Sequence, residues 1–386
     1  MSALAGIKVL ELSRVLAGPW CGMTLADLGA DVIKIEPLEG DDTRGYGPPF
    51  RGDISAYFAS ANRGKRSIAM NLRHPQAKPL LDSLIRESDV LIENFRTGVA
   101  ESLGIDHVYA RSLNPRLIYC AISGYGRSGP DAQRPGYDLA VQAESGLMAI
   151  TGPAEGPPSK VGVATVDIAT GLNATIAILA ALHQRTCTGE GQSIELSLFD
   201  TQLQGLANIV CSTLFTGEDA RRHGNAHATI VPYQAFAARD GMFVLACGSD
   251  HLWQRLCVLM DRPQWQHDAR CVTNAARVAH RDWLIPELER CFGAGAVADW
   301  VARCEAAGIP AAPVNSVREA AFGELATARG LRVEDDGIPM IASPLRMSAS
   351  PIAQPKRPPH LGEHTDAICA AHGCDADALR AAGAVR

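Results

Sequence analysis

The 386-residue chain lacks most signatures that assign a function at sight. Its eleven cysteines are scattered and odd in number, with no C-x-x-C pair, which argues against a disulfide framework and for reduced thiols in a cytoplasmic setting. There is no G-x-x-x-x-G-K-[ST] loop, so an ATP-driven reaction would have no phosphate cradle. A G-x-S-x-G elbow is missing too, which argues against a serine hydrolase. Basic residues are not in excess. The net charge of -6 speaks against a general nucleic-acid or membrane-surface binder. The N-terminus, M-S-A-L-A-G-I-K-V-L-E-L, has no basic region followed by a long apolar core, so no signal peptide is expected. No uncharged apolar stretch is expected to span a bilayer. His223 and His227 have the spacing of helical ligands, but Gly224 and Asn225 between them read as a loop. With no Cys/His cluster nearby, no metal is expected. Residues 124–129 satisfy G-x-G-x-x-G after a strand, yet Pro130 and Pro135 follow where a dinucleotide fold needs a helix.

What is present is an ordinary globular composition, 47% hydrophobic and 20% charged, on a chain long enough for about two domains. Strand-like runs at residues 7–12, 31–36, 89–93 and 117–122 alternate with helical segments at 18–28 and 74–88. Strands alternating with helices imply an α/β fold with a parallel, doubly wound, Rossmann-like sheet. Such sheets bind ligands at the carboxyl ends of their strands, so the loops after Leu12, Glu36, Glu93 and Ile122 are where a site is expected. Beyond Asp200 the texture changes. Asp240-Gly241 is a turn signal between two apolar runs, and helical segments follow at 252–260 and 296–307. The expected organisation is a large domain over 1–210 completed by 326–386, a linker over 211–224, and a smaller α+β domain over 225–325. The proline-rich last sixty residues are expected to run extended over the large domain and end in a short helix.

The most informative stretch runs from Val161 to Gly191. Asp167 follows an apolar segment and precedes a run (Ile168, Leu172, Ile176, Leu179) repeating near the helical period, which predicts a helix with Asp167 at its N-cap. There the unpaired amides and the helix dipole would favour an ionised carboxylate. An ionised, positioned carboxylate can be a covalent nucleophile. Spacing alone leaves a plain cap as the commoner use of such a residue.

Taken together, the segments V-L-E-L-S-R-V-L-A-G-P, A-D-L-G-A-D-V-I-K-I-E, N-R-G-K-R-S-I-A-M-N-L, S-D-V-L-I-E-N-F, I-S-G-Y-G-R-S-G-P, R-P-G-Y-D-L-A-V-Q-A, T-G-E-G-Q and L-G-E-H-T, in this order around Asp167, resemble the family III CoA-transferases (CaiB/BaiF type) over nearly the whole chain. The resemblance is closest to transferases moving CoA from succinyl-CoA to glutarate or a similar dicarboxylate. It rests there on G-D-D-T-R-G-Y-G-P-P-F, S-G-L-M-A-I-T-G-P-A-E-G and G-N-A-H-A-T-I-V-P-Y-Q-A-F. It implies Asp167 as catalytic carboxylate, a coenzyme A thioester as substrate with no permanently bound cofactor, and an interlocked homodimer. It further implies that Val15, Ala17, Met70, Arg73, Asn94 and Phe95 line the CoA site, although unlabelled Val15, Met70 and Phe95 would read as core residues and Arg73 as a solvated charge. Formyl-transferring members carry Gln and Arg where this chain has Leu16 and Pro37, and their glycine run in the second domain is missing. Racemases of the same superfamily need a histidine where this chain has Tyr137, a poor proton shuttle at neutral pH. Transferase is therefore preferred to an α-methylacyl-CoA racemase, with a racemase-type enzyme, a formyl/oxalyl- or carnitine-type transferase and a non-catalytic CoA binder as the alternatives. For a dicarboxylate's distal carboxylate the candidates are Arg44 and His227, the competing use of Arg44 being a surface pair with Asp41 or Asp42. Oxyanion donors are expected among the amides opening the Asp167 helix or a glycine-containing loop of the small domain.

Overall fold

The computed structural model describes all residues from Met1 to Arg386. The chain divides into a large unit (Met1–Leu147, Val161–Glu218 and Glu324–Arg386) and a small unit (Met148–Lys160 and Asp219–Gly323). The small unit thus takes residues 148–160, which the sequence reading had placed in the large domain. Arg222 gives the reason: its guanidinium donates to the carbonyls of Ala149 (3.0 Å) and Gly156 (2.7 Å), tying that loop to the segment beyond residue 218. Part of the expected linker is a helix, Asn208–Thr216, belonging to the large unit.

Six parallel strands form the sheet of the large unit: β1 (Lys8–Glu11), β2 (Asp31–Glu36), β3 (Arg66–Ala69), β4 (Val90–Glu93), β5 (Ile118–Ser123) and β6 (Ser193–Ser197). Their order is β3-β2-β1-β4-β5-β6, that of a doubly wound nucleotide-binding sheet. The strand order reverses between β1 and β4, which pair directly, Leu10 opposite Leu91. The principal helices are α1 (Ala17–Asp27), α2 (Lys78–Glu87), α3 (Asp138–Glu144), α4 (Thr165–Thr188) and α5 (Leu198–Gly205). Because successive strand residues point to opposite faces, Leu10, Ile68 and Leu91 fall in one core with Leu80, Leu81 and Leu84 of α2. Val9, Val32, Val90 and Ile92 join Leu25 of α1 and Ala174 and Ile178 of α4 in the other. Both faces are covered, so the central strands are hydrophobic at nearly every position, as parallel sheets require.

Helix α4 is 24 residues long and by length and composition alone apolar enough to cross a membrane, contrary to the expectation. Residues 168–184 carry no acidic residue, lysine or arginine. Half of its most apolar window is buried within the large unit, where α4 lies along α1.

The C-terminal segment belongs to the large unit and holds more regular structure than expected: a hairpin (Arg332–Asp335 with Ile338–Ile341) and two helices, Thr365–Ala371 and Ala376–Ala381. Its end covers the exposed edge of β3. Arg386 N–H donates to Ala69 O (3.1 Å) and Asn71 N–H to Ala384 O (2.9 Å).

In the small unit, β7 (Tyr233–Ala238) and β8 (Gly241–Ala246) form a hairpin turning at Arg239-Asp240, and Ala311–Pro313 adds a third antiparallel strand. A core of Phe236, Phe243, Phe292, Trp253 and Trp265 packs this sheet against helices Asp250–Leu259, Arg281–Phe292 and Val297–Ala306. The edge-to-face contact of Phe243 with Phe292, centroids 5.2 Å apart, is typical of such cores.

Candidate active site

Crevices open in doubly wound sheets where the strand order reverses, at the carboxyl ends of the strands. Here the crevice between β1 and β4 holds a cavity of about 280 Å³, lined by residues 14–17, 94–97 and 122–124 with Gly136, Tyr137 and Asp167. A second cavity, of about 300 Å³, lies at the ends of β2 and β3 and is lined by residues 35–39 and 70–73 with Leu12 and Leu103. Arg14 and Phe95 line both. The structure therefore gathers Val15, Ala17, Asn94, Phe95 and Asp167 about the first cavity, and Met70, Arg73 and Phe95 about the second. Leu16 and Pro37, the two positions at which the resemblance sets this chain apart from formyl-transferring members, line the first and second cavity respectively.

Asp167 differs from the sequence reading in two respects. It is the third residue of α4, whose N-cap position is Ala164, and it caps nothing. The amides it was expected to face are taken by Asp138 at the start of α3: Asp138 Oδ1 accepts from Val166 N–H (2.8 Å) and Asp167 N–H (3.3 Å). Gln142 Nε2 holds the other oxygen of Asp138 at 2.5 Å. The helix opening is thus already neutralised by a carboxylate. Nor is Asp167 kept ionised. Burial first, and the neighbouring charge of Asp138 second, raise its pKa from 3.8 to about 7. Those amides are correspondingly not free to serve as oxyanion donors, which corrects that expectation too. Helix α1 offers an alternative. It has no side-chain cap and no acidic residue in its first turn, and its N-cap Leu16 and first residue Ala17 line the cavity. Gly171 of α4 makes this proximity possible: a Cβ there would lie 2.5 Å from Ala17 O and 3.0 Å from Trp20 Cβ.

Arg44 is not available as a substrate ligand. Its guanidinium binds Glu36 with two 2.7 Å hydrogen bonds, donates to Pro359 O (3.1 Å) and lies 3.8 Å over the Phe58 ring. Neither Asp41 nor Asp42 is its partner, so the surface pair is corrected as well. His227 lies in a small-unit loop, its Nδ1 accepting from Thr229 N–H (3.1 Å) and its ring edge-on to Tyr233 (5.4 Å). The side-chain amide of Asn94, assigned to the cofactor by resemblance, is spent on the protein: it accepts from Arg14 N–H (2.9 Å) and donates to Arg14 O (2.8 Å). Sequence reasoning missed Asp138, Arg14 and Tyr57. Tyr57 stacks edge-on with Tyr46 (5.4 Å), and its phenol is pushed up by burial and then by the charge of Asp167. The G-Y-D segment that holds Asp138 was visible, but its Tyr137 had been read only as a missing histidine.

A doubly wound sheet whose switch-point crevice presents one half-buried, hard-to-ionise carboxylate is suited to acyl transfer without metal or nucleotide activation. The chain matches the model of CoA-transferase family III over residues 4–365 and belongs to that family. It is a CoA-transferase. The succinate–glutarate CoA-transferase of Agrobacterium fabrum is 43% identical over 95% of both chains. The human succinyl-CoA:glutarate CoA-transferase is 40% identical over 95% of this chain and 85% of its own length. The crystal structure of a CaiB/BaiF family protein from Brucella suis superposes with a TM-score of 0.87 at 43% identity, covering 96% of this chain and 99% of that one.

Proposed function

We propose that the enzyme moves CoA from succinyl-CoA to glutarate or a closely similar dicarboxylic acid through covalent intermediates on Asp167. The observation that carries the chemistry is the state of Asp167, a cavity-lining carboxylate whose charge is disfavoured by burial and by Asp138. The choice of acids is supported by the relatives' substrates.

Asp167 attacks the succinyl thioester carbonyl, the C–S bond breaks, and CoA leaves as thiolate from a mixed aspartyl anhydride. The thiolate attacks the Asp167 carbonyl and expels succinate, giving an aspartyl-CoA thioester. Glutarate attacks that carbonyl, re-forming an anhydride and freeing the thiolate, which collects the glutaryl group and restores the carboxylate. Each step exchanges one activated carboxyl for another, so no ATP is consumed. A desolvated carboxylate with a high pKa is a strong nucleophile once ionised, and acylation removes the charge that its surroundings oppose. The N-terminal amides and dipole of α1, beside Ala17, stabilise the oxyanions. The second cavity, with Met70, Arg73 and Phe95, receives the adenosine end of CoA, and Arg14 bridges it to the reacting end. The active form is an interlocked homodimer, and CoA enters as substrate rather than as resident cofactor.

Incubation with succinyl-CoA and a panel of acids, followed by mass analysis of the CoA esters, tests this reading. Glutaryl-CoA should accumulate with wild-type protein and fall by at least about a thousandfold with Asp167→Ala. Hydroxylamine should mark Asp167 during turnover. Substantial transfer by the variant sinks the covalent role, and transfer to monocarboxylates alone sinks the acceptor class.

A further inference from the structure

Val15 lines the catalytic cavity with a φ of +68°, a left-handed conformation that a β-branched residue adopts only under constraint. The two successive peptide groups that lead into it are each held at both their C=O and their N–H by side chains from elsewhere. Ser13 O accepts from Lys34 Nζ of β2 (2.8 Å). The Arg14 peptide is clasped on both sides by the Asn94 amide. Val15 N–H donates to Asp41 Oδ1 at 3.4 Å. Behind this loop lies a buried ionic cluster. Lys34 Nζ also binds Glu11 Oε1 and Asp41 Oδ2, each at 3.0 Å, and Lys65 Nζ binds Glu11 Oε2 at 2.8 Å, Pro19 O at 2.9 Å and Asn62 Oδ1 at 2.8 Å. All four charged side chains are inaccessible to solvent. Gly22 of α1 makes room for the cluster, since a Cβ there would meet Glu11 Oε2 at 1.9 Å.

Such a cluster is a poor choice for stability alone, because apolar residues of equal volume would hold the core at least as well. Its partners explain its presence. Lys34 reaches the loop at Ser13 and, through Asp41, at Val15. We propose that Asp41, seated by Lys34, is a positioning residue of the transferase reaction: it holds Val15 in the left-handed conformation and so keeps residues 15–17 shaped to receive CoA beside Asp167.

Glycine adopts a positive φ without strain, so it replaces the constraint and gives a direct test. The readout is the Kd for CoA by calorimetry, which does not depend on which acids the enzyme exchanges and can fail independently of the proposed substrates. Asp41→Ala should weaken CoA binding about tenfold in the wild-type background and less than about twofold in a Val15→Gly background. Should Asp41→Ala not fold, Asp41→Asn, which keeps the oxygen for Val15 but turns an amide toward Lys34, should show the same background dependence at smaller size. An equal loss of affinity in both backgrounds, or none in either, would overturn the assignment, since a merely structural Asp41 would act alike whatever stands at position 15.

Discussion

Two carboxylates 29 positions apart set the chemistry of this site, and they do opposite work. Asp138 accepts two amides at the opening of α4 and so takes the stabilising end of the dipole. Asp167 receives the burial and the repulsion, which bring its pKa to about 7. Transfer requires the ionised nucleophile, so activity should rise with pH through about 7 and level off above it. Asp138→Asn keeps an oxygen for the two amides while deleting the charge, and should move that acidic limb to lower pH in the kcat profile. An upward shift, or none, would contradict the assigned cause. The same shift has a stability consequence of fixed sign. Because the folded pKa lies above the unfolded one, the folded state retains a proton that the unfolded chain gives up, and stability falls as pH rises from about 4 to about 7. The shift of about three pH units corresponds to an upper bound of ~4 kcal/mol, to be discounted because Asp167 is only half-buried. Asp167→Asn should therefore be more stable than wild type by about 1–3 kcal/mol at pH 8 in urea titrations, with the gap closing near pH 4. A destabilised variant at pH 8 would show that the carboxylate is better accommodated than its surroundings indicate.

The elements that place these residues were unequally legible in the sequence. β1, β2, β4, β5, α1 and α2 announced themselves as apolar runs or helical periods, and the strand-end rule then pointed at the right loops. β3 and β6 went unread for a physical reason: each lies at a sheet edge and lacks an apolar run, β3 opening on Arg66 and Ser67 and β6 alternating exposed and half-covered residues, S-I-E-L-S. Asp167 itself stood out, but its titration did not, because the groups that set it come from α3 and from burial, neither of which local spacing encodes. Arg44 failed in the same way, since its partner Glu36 is eight residues off and on the end of β2. Gly171 is the element-scale signal with most left in it. Glycine inside a helix costs about 1 kcal/mol relative to alanine, so its presence calls for a contact, and the contact is the backbone of α1. Gly171→Ala should therefore destabilise by about 1–3 kcal/mol despite the better helix former, and should lower kcat by displacing Ala17 from Asp167. A stabilised, fully active variant would show that α1 and α4 yield freely.

At the scale of the whole molecule, what needs an explanation is apolar surface that the single chain leaves uncovered. Helix Asn208–Thr216, N-I-V-C-S-T-L-F-T, has no buried residue, with Leu214 77% and Phe215 90% exposed. On α4, Leu172 and Ile176 lie one turn apart and are 44% and 64% exposed, although the same helix sends Ala174 and Ile178 into the core. Large apolar side chains left exposed together on helix faces mark a surface that something covers. A second copy of this chain is the occupant that the proposed homodimer supplies. Light scattering should then give twice the 41.0 kDa chain mass at micromolar concentration. Ile176→Asp together with Phe215→Asp should shift the protein toward monomer and reduce transfer, because each charge would be buried without a partner in the assembled form. The same pair in a monomeric protein would be surface changes worth no more than about 0.5 kcal/mol each, so thermal unfolding at low concentration should move little. If the double variant stays dimeric and fully active, these residues lie outside the interface. If wild-type protein is monomeric at every concentration and floats with lipid vesicles, the apolar helices serve a membrane surface and the homodimer is refuted.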